Sequence, residues 1–158
     1  MQALILEQQD GKTISSVQTI DADQLPPGDV TVDIHWSSLN YKDALAITRK
    51  GLIIRDFPMV PGIDFAGEVV SSDSERFKPG DEVIVTSYDL GMNTAGGLGQ
   101  YIRVPSSWVV RKPAGFSLYE SMIFGTAGFT AALSLLRLVD FGMNPTDEIL
   151  VTGASGGV

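Results

Sequence analysis

The closing run Glu148-Ile149-Leu150-Val151-Thr152-Gly153-Ala154-Ser155-Gly156-Gly157-Val158 most constrains what this chain can fold into. A short β-branched run passes directly into a glycine-rich turn. A buried parallel strand enters a pyrophosphate-binding turn in this way, and the backbone amides at Ser155, Gly156, Gly157 and Val158 are the candidate phosphate contacts. The spacing Gly153-x-x-Gly156-Gly157 departs from a strict G-x-G-x-x-G fingerprint, and no lysine stands in it, which excludes a phosphate loop of the NTPase kind. The competing interpretation is an ordinary glycine-rich strand-to-helix turn. The strand expected at Ile149–Thr152 has no parallel neighbours in the sequence to pair with. The chain is therefore expected to be the first half of a longer protein.

Residues 1 to about 115 carry a different pattern. Val30, Val32, Ile34 and Trp36 alternate with Thr31, Asp33, His35 and Ser37, the period of a half-buried strand. Further strands are expected at Ala3–Leu6, Ile14–Ile20, Phe65–Val70, Glu82–Thr86, Gln100–Val104 and Trp108–Arg111. Leu25-Pro26-Pro27-Gly28-Asp29 and Lys78-Pro79-Gly80-Asp81 are turns, because proline presets φ and glycine accepts positive φ. Many short strands joined this way predict a partly closed barrel or a sandwich.

Two helical segments interrupt the strands. Asn40–Thr48 is short and follows the Val30–Trp36 strand. Ser117 and Glu120 have capping-box spacing, which marks the start of a second helix. That segment is broken at Gly125-Thr126-Ala127-Gly128, resumes over Phe129–Val139 with almost no polar face, and ends at Gly142 and Pro145. Standing alone, it is expected to leave apolar surface exposed. The composition shift near residue 115 divides the chain into 1–116, connecting helices over 117–147, and the opening of a second domain at 148–158.

Composition removes several function classes. The net charge of −8 disfavours nucleic-acid binding, since phosphates are repelled over most of the surface. No apolar run reaches the roughly 18 residues of a membrane span, so no membrane partner is expected. The N-terminus lacks a basic region and a cleavage site, and the expected location is cytoplasmic. With no cysteine and His35 as the single histidine, the chain cannot assemble a zinc site from thiolates and imidazoles, and no metal is expected.

Candidate site residues cluster at Ser38-Leu39-Asn40-Tyr41-Lys42-Asp43. A phenol can donate a proton or hydrogen-bond a carbonyl, an amide can orient a ring, and a carboxylate can fix a neighbouring donor. Asn40 and Asp43 have an alternative role as caps and turn formers. Thr126 can either cap a helix or offer its hydroxyl to a cofactor. Asp64 is expected to make a structural hydrogen bond to a nearby turn. Gly91–Gly99 is expected to be a flexible hairpin loop, and His35 a surface histidine. Arg49, Lys50 and Arg55 form a basic group, either a solvated loop face or a contact for an anionic substrate tail.

The Thr152–Gly157 string also occurs in short-chain dehydrogenases, but there the turn stands at the start of the chain. Five motifs in order carry a different resemblance: Asn40-Tyr41-Lys42-Asp43, Pro61-Gly62-Ile63-Asp64-Phe65-Ala66-Gly67, Pro79-Gly80-Asp81-Glu82-Val83, Gly125-Thr126-Ala127-Gly128-Phe129-Thr130-Ala131 and Val151–Val158. Together they resemble the medium-chain dehydrogenase/reductase superfamily. Within it they look like the zinc-independent quinone oxidoreductase branch of the YhdH/YhfP type, which includes acrylyl-CoA reductases.

The resemblance implies a mixed α/β chain: a GroES-like, partly open β-barrel substrate domain, then the first strand and turn of a Rossmann doubly wound parallel sheet. It implies a homodimer and NADPH as cofactor. It also implies an activated C=C bond as hydride acceptor, in a small-molecule substrate such as an acyl-CoA. A quinone acceptor, or a non-catalytic GroES-like fragment, are the alternatives. In zinc-dependent relatives a cysteine occupies the Asn40-Tyr41 region and a histidine stands near Ile63, and both are lost here. Carried onto this chain, Tyr41 contacts the nicotinamide or donates a proton, and Asn40 and Asp43 support the site. Ser155, Gly156, Gly157 and Val158 bind cofactor phosphates.

Overall fold

The computed structural model describes residues 1–48, 50 and 53–158. The chain opens with a hairpin of β1 (Gln2–Gln9) and β2 (Lys12–Thr19). Its two-residue loop, Asp10-Gly11, has φ of 51° and 75°, the left-handed pair that matches the twist of antiparallel strands. Five further strands follow: β3 (Val30–Trp36), β4 (Asp64–Ser72), β5 (Glu82–Thr86), β6 (Tyr101–Val104) and β7 (Val110–Arg111). They form one antiparallel sheet in the order β6-β3-β4-β5-β7. Backbone bonds stitch the hairpin to it. Leu6 exchanges both bonds with Met59 at 2.8 and 3.0 Å, and Leu4 N donates to Leu98 O at 2.9 Å.

Period-2 alternation builds the core. Val30 and Val32 on β3, Phe65 and Val69 on β4, Val83 and Val85 on β5, and Ile102 and Val104 on β6 are all sealed from solvent in one cluster. Each such side chain stabilises the fold by roughly 1.5–3 kcal/mol relative to exposure. The alternation fails at Trp36. A register shift between Ile34 and Trp36 pairs Trp36 with Ala66, which puts the indole on the opposite face of the sheet from Val32. There it meets the Tyr119 ring edge-on at 4.8 Å.

That opposite face carries α2 (Leu118–Asp140), whose Leu118 and Met122 pack over Ala66 and Ile84. The expected capping box is present. Ser117 Oγ accepts from Glu120 N at 3.1 Å, and the Glu120 carboxylate accepts from Ser117 N at 2.8 Å. The break expected at Gly125–Gly128 falls at Gly125, whose non-helical φ 47° and ψ −150° make a kink between two helical segments. Beyond that kink Phe129, Leu133, Leu136 and Leu138 are exposed, as the all-apolar pattern predicts for a helix without its covering layer. Among the described residues α2 is the one helix long and apolar enough, by length and composition alone, to cross a membrane, contrary to the expectation that no such stretch exists. That length is the sum of two helical segments that meet at the non-helical Gly125, and the first turns are anchored on the sheet.

Two further expectations are corrected. Residues 149–152 form no strand, and Leu150 is 87% exposed, because no neighbouring strand offers a ladder. Gly91–Gly99 is not a free hairpin loop: Gly96 N donates to Val60 O at 2.7 Å, Gly97 N to Gly62 O at 2.9 Å and Leu98 N to Pro61 O at 3.0 Å. A Cβ on Gly96 would lie 2.2 Å from Gly62 O, so only glycine permits this backbone-on-backbone packing.

Candidate active site

The end of β3 leads through Ser38, Leu39 and Asn40 into α1 (Tyr41–Thr48). The start of β4 runs beside it, and both meet the kink of α2. Asp64, wholly buried, is the point where they join. Its Oδ1 accepts from Ser38 N at 3.1 Å, and Ser38 Oγ lies 2.6 Å from both carboxylate oxygens. Oδ2 also accepts from Asn40 Nδ2 at 3.1 Å and from Thr126 N at 2.9 Å. A buried carboxylate is tolerated only when so surrounded by donors. The structural role expected for Asp64 is therefore met, and it is wider than a single turn.

Asp43 is the second buried carboxylate, 2% exposed. Oδ2 accepts from Asn40 N at 2.8 Å and Oδ1 from Ile63 N at 3.1 Å, which fastens the first turn of α1 to the segment before β4. Burial pushes its carboxyl above the ordinary range, the nearby Asp64 charge adds to this, and the backbone donors of Asn40 and Ile63 oppose it. Its bonds are those of a cap, the alternative weighed for it above.

Tyr41 differs from both, being 80% exposed. It stands at a cleft of about 410 Å³ lined by residues that include Asn40, Tyr41, Lys42, Thr126, Gly157 and Val158. The Thr126 hydroxyl oxygen is buried, with no hydrogen-bond partner among the described residues. Gly157 is seated against α2, where a Cβ would lie 3.1 Å from the Ala127 Cβ. The structure thus gathers Asn40, Tyr41, Thr126, Gly157 and Val158 around one cleft. It leaves Ser155 and Gly156 exposed outside the lining and Asp43 buried beneath it.

Lys50 and Arg55 are exposed, while Arg49 lies outside the described residues. His35 is a surface residue 3.9 Å from Asp33. Among the described residues no group of three or more His, Cys, Asp or Glu side chains could hold a metal ion. At Asn40, Tyr41 and Asp64 this chain has an amide, a phenol and a carboxylate already bound by four donor groups. That donor set does not suit zinc.

Ser38 stands in the segment singled out from sequence, but its bond to Asp64 has no local signature there. The signal that could have found it was the lone acid in Ile63-Asp64-Phe65: an aspartate entering an apolar strand needs hydroxyl or amide donors nearby.

The family model described as "Alcohol dehydrogenase GroES-like domain" matches residues 26–114. The curated Escherichia coli strain K12 protein "Probable acrylyl-CoA reductase AcuI" is 62% identical over 159 residues, covering 100% of this chain and 49% of that protein. The Bacillus subtilis strain 168 protein "Putative quinone oxidoreductase YhfP" is 49% identical over 158 residues, covering 99% of this chain and 48% of that protein. The crystal structure of the YhdH oxidoreductase from Salmonella enterica in complex with NADP superposes with a TM-score of 0.91 at 61% identity. That match covers 93% of this chain and 45% of the solved one. The chain spans about half the length of the curated relatives it matches.

Proposed function

Because the chain belongs to the alcohol dehydrogenase GroES-like domain family, we propose that it supplies the substrate-binding part of an NADPH-dependent, zinc-free reductase of the medium-chain type. Its substrate is an activated C=C bond in an enoyl thioester such as acrylyl-CoA. Supporting this is the single cleft that brings Asn40, Tyr41 and Thr126 together with Gly157 and Val158 at the closing turn. Residues 1–116 form the substrate domain in this reading, 117–147 the connecting helix, and 148–158 the opening of the cofactor domain. Homodimeric assembly and a cytoplasmic location come with the family resemblance.

The residues present fit a nicotinamide dinucleotide. The buried, unpartnered Thr126 hydroxyl can bond a polar group of it, and the Gly157 and Val158 amides, with that of Gly156 beside them, suit its phosphates, while the Ser155 amide donates to Gly153 O at 2.7 Å. When bound, the cofactor supplies hydride to the carbon β to the carbonyl. Tyr41 hydrogen-bonds the substrate carbonyl and stabilises the enolate-like charge that develops there. Asn40 and Asp43 hold Tyr41 at the cleft, Asp43 by fixing the first turn of α1 to Ile63.

A quinone acceptor is the second reading, favoured by the 49% identity to the Bacillus subtilis putative quinone oxidoreductase YhfP. The exposed cation Lys42 at the cleft, with Lys50 and Arg55 exposed in the segment after α1, favours an anionic thioester tail instead. Steady-state assays with NADPH against acrylyl-CoA and against a quinone decide between the two. Preferred turnover of the quinone would overturn the thioester reading.

A further inference from the structure

The polarity of the Asn40 amide is fixed by its surroundings, and this restricts what the cleft can bind. Asp64 is acceptor-only as a carboxylate, and Ser38 N, Ser38 Oγ and Thr126 N already donate to it. The Ser38 hydroxyl spends its single proton on Asp64, so Ser38 Oγ can only accept from Asn40. The Asn40 atom facing both must therefore be the nitrogen, at 3.1 Å from Asp64 Oδ2 and 3.2 Å from Ser38 Oγ. Turning the amide over would set its oxygen against a buried carboxylate, leaving donors and acceptors mismatched. Ser38 Oγ and Asp64 Oδ2 are themselves 2.6 Å apart, so the amide nitrogen is held toward this pair of acceptors. The remaining atom, Oδ1, accepts nothing among the described residues, and Asn40 lines the cleft.

We propose that Asn40 offers the cleft its Oδ1 as a hydrogen-bond acceptor, and that it selects a ligand carrying an amide N–H. A carbonyl or quinone oxygen brought to Oδ1 meets another acceptor and gains nothing. An N–H donor gains a bond whose geometry Asp64 and Ser38 have already set. Resting on the reductase reading above, two ligand groups have this chemistry: the carboxamide of the nicotinamide cofactor and the amides of a pantetheine arm. Asn40 is then a specificity-determining residue, and Asp64 and Ser38 are positioning residues that act through it.

The test crosses Asn40→Ala with ligands that lack the N–H, in the intact enzyme carrying this chain. For the cofactor arm, equilibrium binding of NADPH is compared with its 3-acetylpyridine analogue, in which a methyl group replaces the carboxamide nitrogen. For the substrate arm, the KM of the N-acetylcysteamine thioester of acrylate is compared with that of its 4-oxopentyl thioester, in which a methylene replaces the amide nitrogen. Wild-type protein should prefer the N–H-bearing ligand by about tenfold on one arm, and Asn40→Ala should shrink that ratio to within about twofold. The arm that collapses identifies the source of the amide. If the alanine variant does not fold, Asn40→Ser keeps a donor toward Asp64 while withdrawing the acceptor from the cleft, and should give the same collapse. Wild-type protein that discriminates on neither arm overturns the proposal, as does a variant that keeps both wild-type ratios. Failure of the reductase reading looks different: the wild-type protein would neither bind NADPH nor reduce either thioester.

Discussion

Gly125 lies where a Cβ would come within 2.8 Å of Asp64 Oδ2. The same Cβ would stand 2.6 Å from Ser38 Oγ, and the residue has φ 47° and ψ −150°. The kink of α2 and the carboxylate that organises the candidate site therefore occupy one another's space. Gly125→Ala should destabilise the chain by about 3 kcal/mol or more, combining backbone strain with displacement of packed polar atoms. Urea unfolding measures this, and a loss under about 1 kcal/mol would show that the kink tolerates a side chain.

Removing the carboxylate itself strands its donors. Asp64→Ala leaves Ser38 N, Asn40 Nδ2 and Thr126 N buried or half-buried without their acceptor. At roughly 1–3 kcal/mol for each unsatisfied group, the expected loss is at least about 3 kcal/mol. Chemical denaturation should show a lower midpoint at unchanged slope, and a midpoint like that of the native chain would mean water replaces Asp64 at no cost.

Two carboxylates should leave opposite marks on the pH dependence of stability. Burial raises Asp43, so its contribution is fully present below the ordinary value of 3.8 and is lost as pH rises through its higher folded value. The Ser106 hydroxyl and backbone N–H hold Asp29 low, so its contribution is present above 3.8 and is lost as pH falls through its lower folded value. The stability gap between the native chain and Asp43→Asn should therefore change in the native chain's disfavour as pH rises from 3 toward neutrality, starting from 3.8. For Asp29→Asn the gap should open in the native chain's favour over the acid range. Parallel gaps for the two variants would refute the assignment.

The exposed stripe of Phe129, Leu133 and Leu136 follows helical spacing on α2. The chain on its own should bind a hydrophobic dye and self-associate, and Leu133→Lys with Leu136→Gln should reduce both. Sedimentation and dye titration read this directly. A monomeric chain that melts cooperatively and binds no dye would contradict an uncovered face.

Much of this was legible in the sequence wherever a local rule acted alone. The expected and observed bounds of β3 and β5 coincide, because alternating β-branched residues flanked by turns admit few other outcomes. Ser117 and Glu120 announced the start of α2 for the same reason. What escaped depended on contacts distant in sequence. The bulge that turns Trp36 toward Tyr119 has no local signature, and Gly96 and Gly97 are explained only by Gly62 lying against them. At the site, Asn40, Tyr41 and Thr126 could be singled out by residue type. The role of Ser38 and the full reach of Asp64 could not, since the β3–α1 connection, β4 and α2 all meet at that carboxylate.

The most direct test of the proposed function is NADPH-dependent reduction of acrylyl-CoA by the intact enzyme, compared with its Tyr41→Phe variant. Tyr41 is the exposed phenol at the cleft, and the variant keeps its shape while removing the hydroxyl. Turnover should fall by about ten- to a thousandfold if that hydroxyl stabilises the developing charge. Unchanged turnover in the variant, or no reduction by the native enzyme, would contradict the reading of this cleft as a reductase site.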